Sequence, residues 1–78
     1  MPTLARIGPY RFLFASNDRT EPPHVHARRD NCLAKFWLSP VRLQKNTRFP
    51  AHELRRIEAI ISEHEHDFLR QWHERFGE

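Results

Sequence analysis

The sequence is poor in the residues that build several common kinds of site. It holds one cysteine, Cys32, in 78 residues, so no disulfide framework and no cysteine-based zinc knuckle can form within the chain. A lone thiol fits a reducing compartment, and a cytoplasmic location is expected. Only two glycines occur, Gly8 and Gly77, too few for a glycine-rich loop that cradles a nucleotide. No apolar run approaches the ~18–20 residues that span a bilayer, so neither a membrane segment nor a signal peptide is expected. Repeats, low-complexity tracts and interdomain linkers are absent, as are a Ser-His-Asp set and a pair of catalytic carboxylates.

What remains is a small, mildly basic, aromatic chain. Its hydrophobic fraction is 38% and its aromatic fraction 12%, enough for a compact core in one domain over residues 1–78. A domain of this size buries only about 60–65% of the surface exposed by its unfolded chain. Thirteen Lys and Arg against ten Asp and Glu give a net charge of +3. That balance permits nucleic acid or an acidic protein as partner and demands neither. Six histidines stand out, because imidazole titrates near neutral pH.

The chain is organised around Pro22-Pro23-His24-Val25-His26-Ala27-Arg28-Arg29. Two prolines end whatever precedes them. On a strand, residues two apart share a face, so His24, His26 and Arg28 point one way and Val25 and Ala27 the other. Strands are predicted over residues 4–7, 10–15, 24–29 and 32–38, with Val41-Arg42-Leu43 as a short edge segment and Gln44 to Arg48 as a basic turn. Gly8-Pro9 punctuates the first two strands, and Asp30-Asn31 is a two-residue turn lacking the usual glycine, which leaves room for a wider hairpin. Phe12, Phe14 and Phe36 are assigned to the core, with the Tyr10 hydroxyl at its rim. Arg11, Lys35 and Trp37 then join His24, His26 and Arg28 on an open outer face.

Pro50 opens a helix predicted over residues 50–75. Leu54, Ile57, Ile61, His64, Phe68 and Trp72 recur at three- and four-residue spacing, and Gly77 is placed to cap its end. Such a helix is about 38 Å long, against ~20 Å for a six-residue strand. The half after His64 must therefore pack on the N-terminal segment, kink back or meet another chain, and Phe68, Leu69, Trp72 and Phe76 are the residues through which a second copy or a partner would dock. The expected architecture is α+β: a three- or four-stranded antiparallel sheet on one long C-terminal helix.

Pro22-Pro23-His24-Val25-His26, then Ala34-Lys35-Phe36-Trp37-Leu38-Ser39-Pro40-Val41, then Glu53-Leu54 and Ile57 with Trp72 beyond, resemble a bacterial domain-of-unknown-function family of very short proteins. Its hallmark is a Pro-Pro-His-x-His stretch after an aromatic strand. His24 and His26 match that motif, and Lys35 and Trp37 match the strand after it. Members often have Ser or Thr as helix N-cap, where this chain has Pro50. The resemblance implies one half of a two-gene toxin–antitoxin pair and a cognate small protein encoded alongside.

Four readings of the face stand side by side. It binds a partner protein or RNA, with Arg11, Arg28 and Lys35 on phosphates and Trp37 stacked on a base. It cleaves RNA, with His24 and His26, ~6.5–7 Å apart, as general base and acid and Arg28 or Lys35 holding the developing charge. It holds zinc or another divalent transition metal through His24 and His26, with a third ligand from Asp18, Glu21, Cys32 or His52. Or the two histidines brace the Pro22-Pro23 turn through backbone hydrogen bonds. Except under the metal reading, no cofactor is expected.

Overall fold

The computed structural model describes residues 3–14 and 20–77. Among them five strands form one antiparallel sheet in chain order: β1 (Thr3–Ile7), β2 (Tyr10–Leu13), β3 (His24–Arg29), β4 (Cys32–Leu38) and β5 (Val41–Thr47). Two helices follow, α1 (Ala51–Glu63) and α2 (Glu65–Phe76). The fold is α+β as expected, with five strands where three or four were expected and two helices in place of one long one.

Three two-residue hairpins set the register. Ile7 pairs with Tyr10 across Gly8-Pro9, where Gly8 takes φ 58°, a value that favours glycine. Arg29 pairs with Cys32 across Asp30-Asn31, with Asp30 at φ 53°. Asp tolerates this left-handed region better than most residues, so the hairpin is as tight as one with glycine. Leu38 pairs with Val41 across Ser39-Pro40, whose peptide bond is cis. β5 is a full seven-residue edge strand rather than a short segment and a turn. Its residues are largely exposed and polar, so they carry no alternation to read; pairing to β4 is what makes it a strand. Of the predicted strand 10–15, Phe14 lies just past β2 and Ala15 lies outside the described residues.

Along β2, β3 and β4 every second residue is buried: Tyr10 and Phe12; Val25 and Ala27; Cys32, Ala34, Phe36 and Leu38. These meet Ile57 and Ile61 of α1 and Phe68 and Trp72 of α2 in one core, which also takes in Phe14 and Phe49. Phe12 packs on Phe68 at 5.8 Å between ring centres, and Phe14 meets Trp72 edge-on at 5.2 Å. A reciprocal pair of hydrogen bonds turns the chain from β5 into α1: Phe49 N–H donates to Asn46 Oδ1 at 3.1 Å, and Asn46 Nδ2 donates to the Phe49 carbonyl at 3.0 Å.

The long helix breaks at His64, which has φ −106° and ψ 13°. Its backbone N–H is shared between the Ile60 and Ile61 carbonyls, both at 3.1 Å. Its ring Nδ1 lies 2.9 Å from the Ile60 carbonyl, and the ring stacks on Phe68. A side chain competing for a helix carbonyl is a recognised cause of a kink. The break resolves the length mismatch, because α1 with 13 residues is about as long as the strands it crosses. The surface expected to dock a partner is therefore mostly internal: Phe68 and Trp72 are 0% and 1% exposed, and Leu69 and Phe76 are packed against the same core.

Tyr10 is not at the rim. Its ring is buried, and its hydroxyl donates to Glu53 Oε1 at 2.9 Å. Arg29, on the inner face of β3, donates to the same carboxylate through Nε at 3.0 Å and Nη2 at 2.7 Å. The first turn of α1 is thus tied to two strands by one carboxylate. Hydrogen bonding from Arg29, and then from Tyr10, holds the Glu53 carboxyl below its usual range, while burial raises the Tyr10 hydroxyl. A carboxylate with a lowered folded-state pKa stabilises the fold above its unfolded pKa, and that contribution fades as pH falls through the folded value. Glu53→Gln should therefore lower the melting temperature by several degrees at pH 7, and the gap to wild type should narrow progressively as pH falls below the ordinary carboxylate range. Thermal melts followed by circular dichroism between pH 7 and pH 3 check this; a gap that stays constant with pH would contradict it.

Candidate nucleic-acid interface

The helices cover one face of the sheet, and strand alternation puts a different set of side chains on the other. Cross-strand partners share a face, so the register lists its occupants row by row. Arg6, Arg11 and Arg28 stand side by side on β1, β2 and β3, followed by Leu33 and Thr47. The next row is Leu13, His26, Lys35 and Lys45, and the next His24, Trp37 and Arg42. The sequence-predicted residues Arg11, His26, Arg28, Lys35 and Trp37 are all brought together here.

His24 shares the face but is not open to solvent. It is 0% exposed, with its ring centre 5.3 Å from His26, 5.7 Å from Trp37 and 5.1 Å from Trp72. Trp72 reaches it from α2, at the end of the sheet, and the same indole meets Phe14. His24 Nδ1 lies 3.0 Å from the Pro22 carbonyl, a contact that needs a proton on that nitrogen. The Pro23 carbonyl accepts from Leu38 N–H at 3.0 Å. His24 thus occupies the position expected of a brace for the Pro-Pro turn. An acid–base pair acting on RNA needs both imidazoles within reach of one phosphate, and the enclosed ring of His24 leaves only His26 half-buried at the surface.

Of the proposed third metal ligands among the described residues, only Glu21 comes near His24. Glu21 lies 3.8 Å from His24 Nδ1 but accepts its close hydrogen bond from Lys35 Nζ, at 2.5 Å. Cys32 is on the inner face, with Sγ 3.6 Å from the Arg48 carbonyl, and His52 is exposed in the first turn of α1. Asp18 lies outside the described residues. Among the described residues no group of three His, Cys, Asp or Glu could hold a metal ion.

Lys35 connects the charges to the indole: its Nζ sits 5.2 Å from the centre of the half-buried Trp37 ring. Beside it, His26, Leu33, Lys35, Gln44, Lys45 and Thr47 line a hollow of about 350 Å³. Charge divides along the chain in the same sense as the layers. Nine of the 13 Lys and Arg precede Pro50, and seven of the ten Asp and Glu follow it. The sheet layer is the basic one.

Three basic occupants of the face, Arg6, Arg42 and Lys45, were not assigned to it from the sequence. Arg6 was findable, because a two-residue turn at Gly8-Pro9 puts it opposite Arg11. Lys45 was not. It and Arg42 are three apart, which plain alternation places on opposite faces. A bulge opposite the Lys35-Phe36 step inserts Gln44, so that Lys45 pairs with Lys35 while Leu43 pairs with Phe36.

A family model described as Domain of unknown function (DUF4160) matches residues 10–73. The chain belongs to the DUF4160 family. The DUF4160 match takes in β2 to β5, α1 and most of α2, and with them every face residue named above except Arg6. No curated protein and no solved structure matches the chain. Among the described residues no helix is long and apolar enough to cross a membrane.

Proposed function

We propose that this chain is an RNA-binding component of a toxin–antitoxin-type pair, acting in the cytoplasm beside a cognate small protein, and that RNA lies across the outer sheet face. The observation that carries the reading is the placement of like charges in adjacent register: Arg6 with Arg11, Arg11 with Arg28, and Lys35, itself paired to Glu21, with Lys45. Like charges directly opposite one another destabilise a sheet. A chain that gathers them on one face, and lets its acids collect on the helices, has a surface suited to a polyanion. Trp37 adds a stacking platform next to the Lys35 ammonium, and base stacking on an aromatic tolerates any sequence. Single-stranded RNA fits better than a duplex, because the indole needs an unpaired base.

Fluorescence anisotropy with a labelled single-stranded RNA tests the reading. Contact with about three to five phosphates gives a log–log salt slope near −2 to −3.5. Binding that weakens with salt on this scale supports the proposal. Absence of binding at low salt, or binding indifferent to salt, overturns it.

A further inference from the structure

We infer that Arg6, Arg11 and Arg28 form a discrete site for a phosphate monoester, at the end of the sheet closed by the Gly8-Pro9 and Asp30-Asn31 turns. The inference rests on the RNA-binding reading only for the source of the phosphate. Arg6, Pro9, Arg11, Arg28, Arg29 and Asp30 line a hollow of about 260 Å³. Arg11 is the middle member of the row, paired in register with Arg6 on one side and Arg28 on the other. Adjacent partners in a sheet have Cβ atoms about 5 Å apart, so three guanidiniums can converge on one small anion.

The decisive detail is at Arg11. Its Nε is buried and has no hydrogen-bond partner among the described residues. A buried donor without an acceptor is costly, and a guanidinium presents Nε and Nη in a planar fork that matches two oxygens of one phosphate. Among the described residues no carboxylate forms an ion pair with Arg6, Arg11 or Arg28. The carboxylate on the rim, Asp30, is held by Arg29 Nη1 at 3.2 Å, and Arg29 is itself anchored to Glu53. The cluster is therefore a concentration of positive charge whose middle member, Arg11, carries a buried Nε with no partner among the described residues. A dianionic phosphate supplies both the charge and the acceptors. A terminal phosphate suits the position, since the face stops at these turns and a bound strand would begin or end there.

Arginine side-chain NMR during titration with inorganic phosphate tests the site, alongside anisotropy with three RNAs alike except for a 5′-phosphate, a 3′-phosphate or hydroxyls at both ends. The Nε–H resonance of Arg11 should shift saturably with phosphate. Arg11→Lys keeps the charge but removes the fork, and should weaken phosphate binding about tenfold or more. Because Arg11 also lies on the RNA face, the hydroxyl-ended RNA should weaken as well, but by a smaller factor than phosphate, since a phosphate contact of the same charge is retained. If Arg11→Lys does not fold, Arg28→Lys at the exposed edge of the row gives the same comparison. Tighter binding of one phosphorylated RNA identifies a strand end as the source. Equal binding of all three RNAs with phosphate still bound identifies a free phosphate. Phosphate binding without any RNA binding removes the RNA reading and keeps the site. No phosphate shift at Arg11 in the unaltered protein, or a phosphate affinity read at the Arg6 Nε–H that is unchanged in both lysine variants, overturns the site while leaving RNA binding to stand on its own test.

Discussion

Replacing Trp72 by alanine is expected to remove about 3–5 kcal/mol of stability, the usual loss for a large buried aromatic. Trp72 is 1% exposed and touches three rings: Phe14 at 5.2 Å, Phe76 at 4.2 Å and His24 at 5.1 Å. It fastens α2 over the end of the sheet and closes the inner side of His24. A domain of this length has a total stability of roughly 4–12 kcal/mol, so the variant should melt some 15–30 °C lower. Trp72→Phe, which keeps a ring but not its full area, should lose about half as much. Urea denaturation of the three proteins measures the difference. A loss below about 1 kcal/mol for the alanine variant would mean that α2 is not seated on this core.

The same indole shows how far the sequence could be read. Alternation in β2 to β4 was legible because each strand has one face of mostly aromatic and aliphatic residues and another that carries its Arg, Lys or His. The hydrophobic repeat of the helices was legible for the same reason, down to Gly77 in the left-handed conformation at the end of α2. The break between the helices was not, because Ile61, His64 and Phe68 keep helical spacing straight through it. Only the length of the predicted helix against the strands pointed to a bend, and it did not choose among the alternatives. What fixes the bend is the His64 ring on the Ile60 carbonyl, a contact that exists only once the turn is made.

Local pattern also failed where tertiary contact decides burial. His24 alternates with Val25 and so belongs to the outer face, yet Trp72, 48 residues later in the chain, encloses it. Tyr10 has a polar end that suits a rim, but Glu53, itself held by Arg29, accepts from its hydroxyl inside. The charged row is the reverse case. Each arginine was visible singly, and pairing rules for tight hairpins place Arg6 beside Arg11. The bulge that turns Lys45 onto the same face leaves no mark in the sequence, since no glycine or proline signals it.

The second large effect is expected from reversing charge on the face. Arg28 and Lys45 are both exposed and lie on different rows, so Arg28→Glu with Lys45→Glu should leave the core intact. The double variant removes about two phosphate contacts and adds repulsion, and should weaken single-stranded RNA binding about a hundredfold at 100 mM salt. Its log–log salt slope should shrink by about 1.4. Net charge alone is controlled by Arg55→Glu with Arg75→Glu, two exposed reversals on the helices. Measured side by side in one salt series, these two variants test the central claim most directly. The account predicts the large loss and the shallower slope for the sheet variant, and at most a few-fold change for the helix variant. Equal losses in both, or a larger one in the helix variant, would contradict an RNA site on the outer face of the sheet.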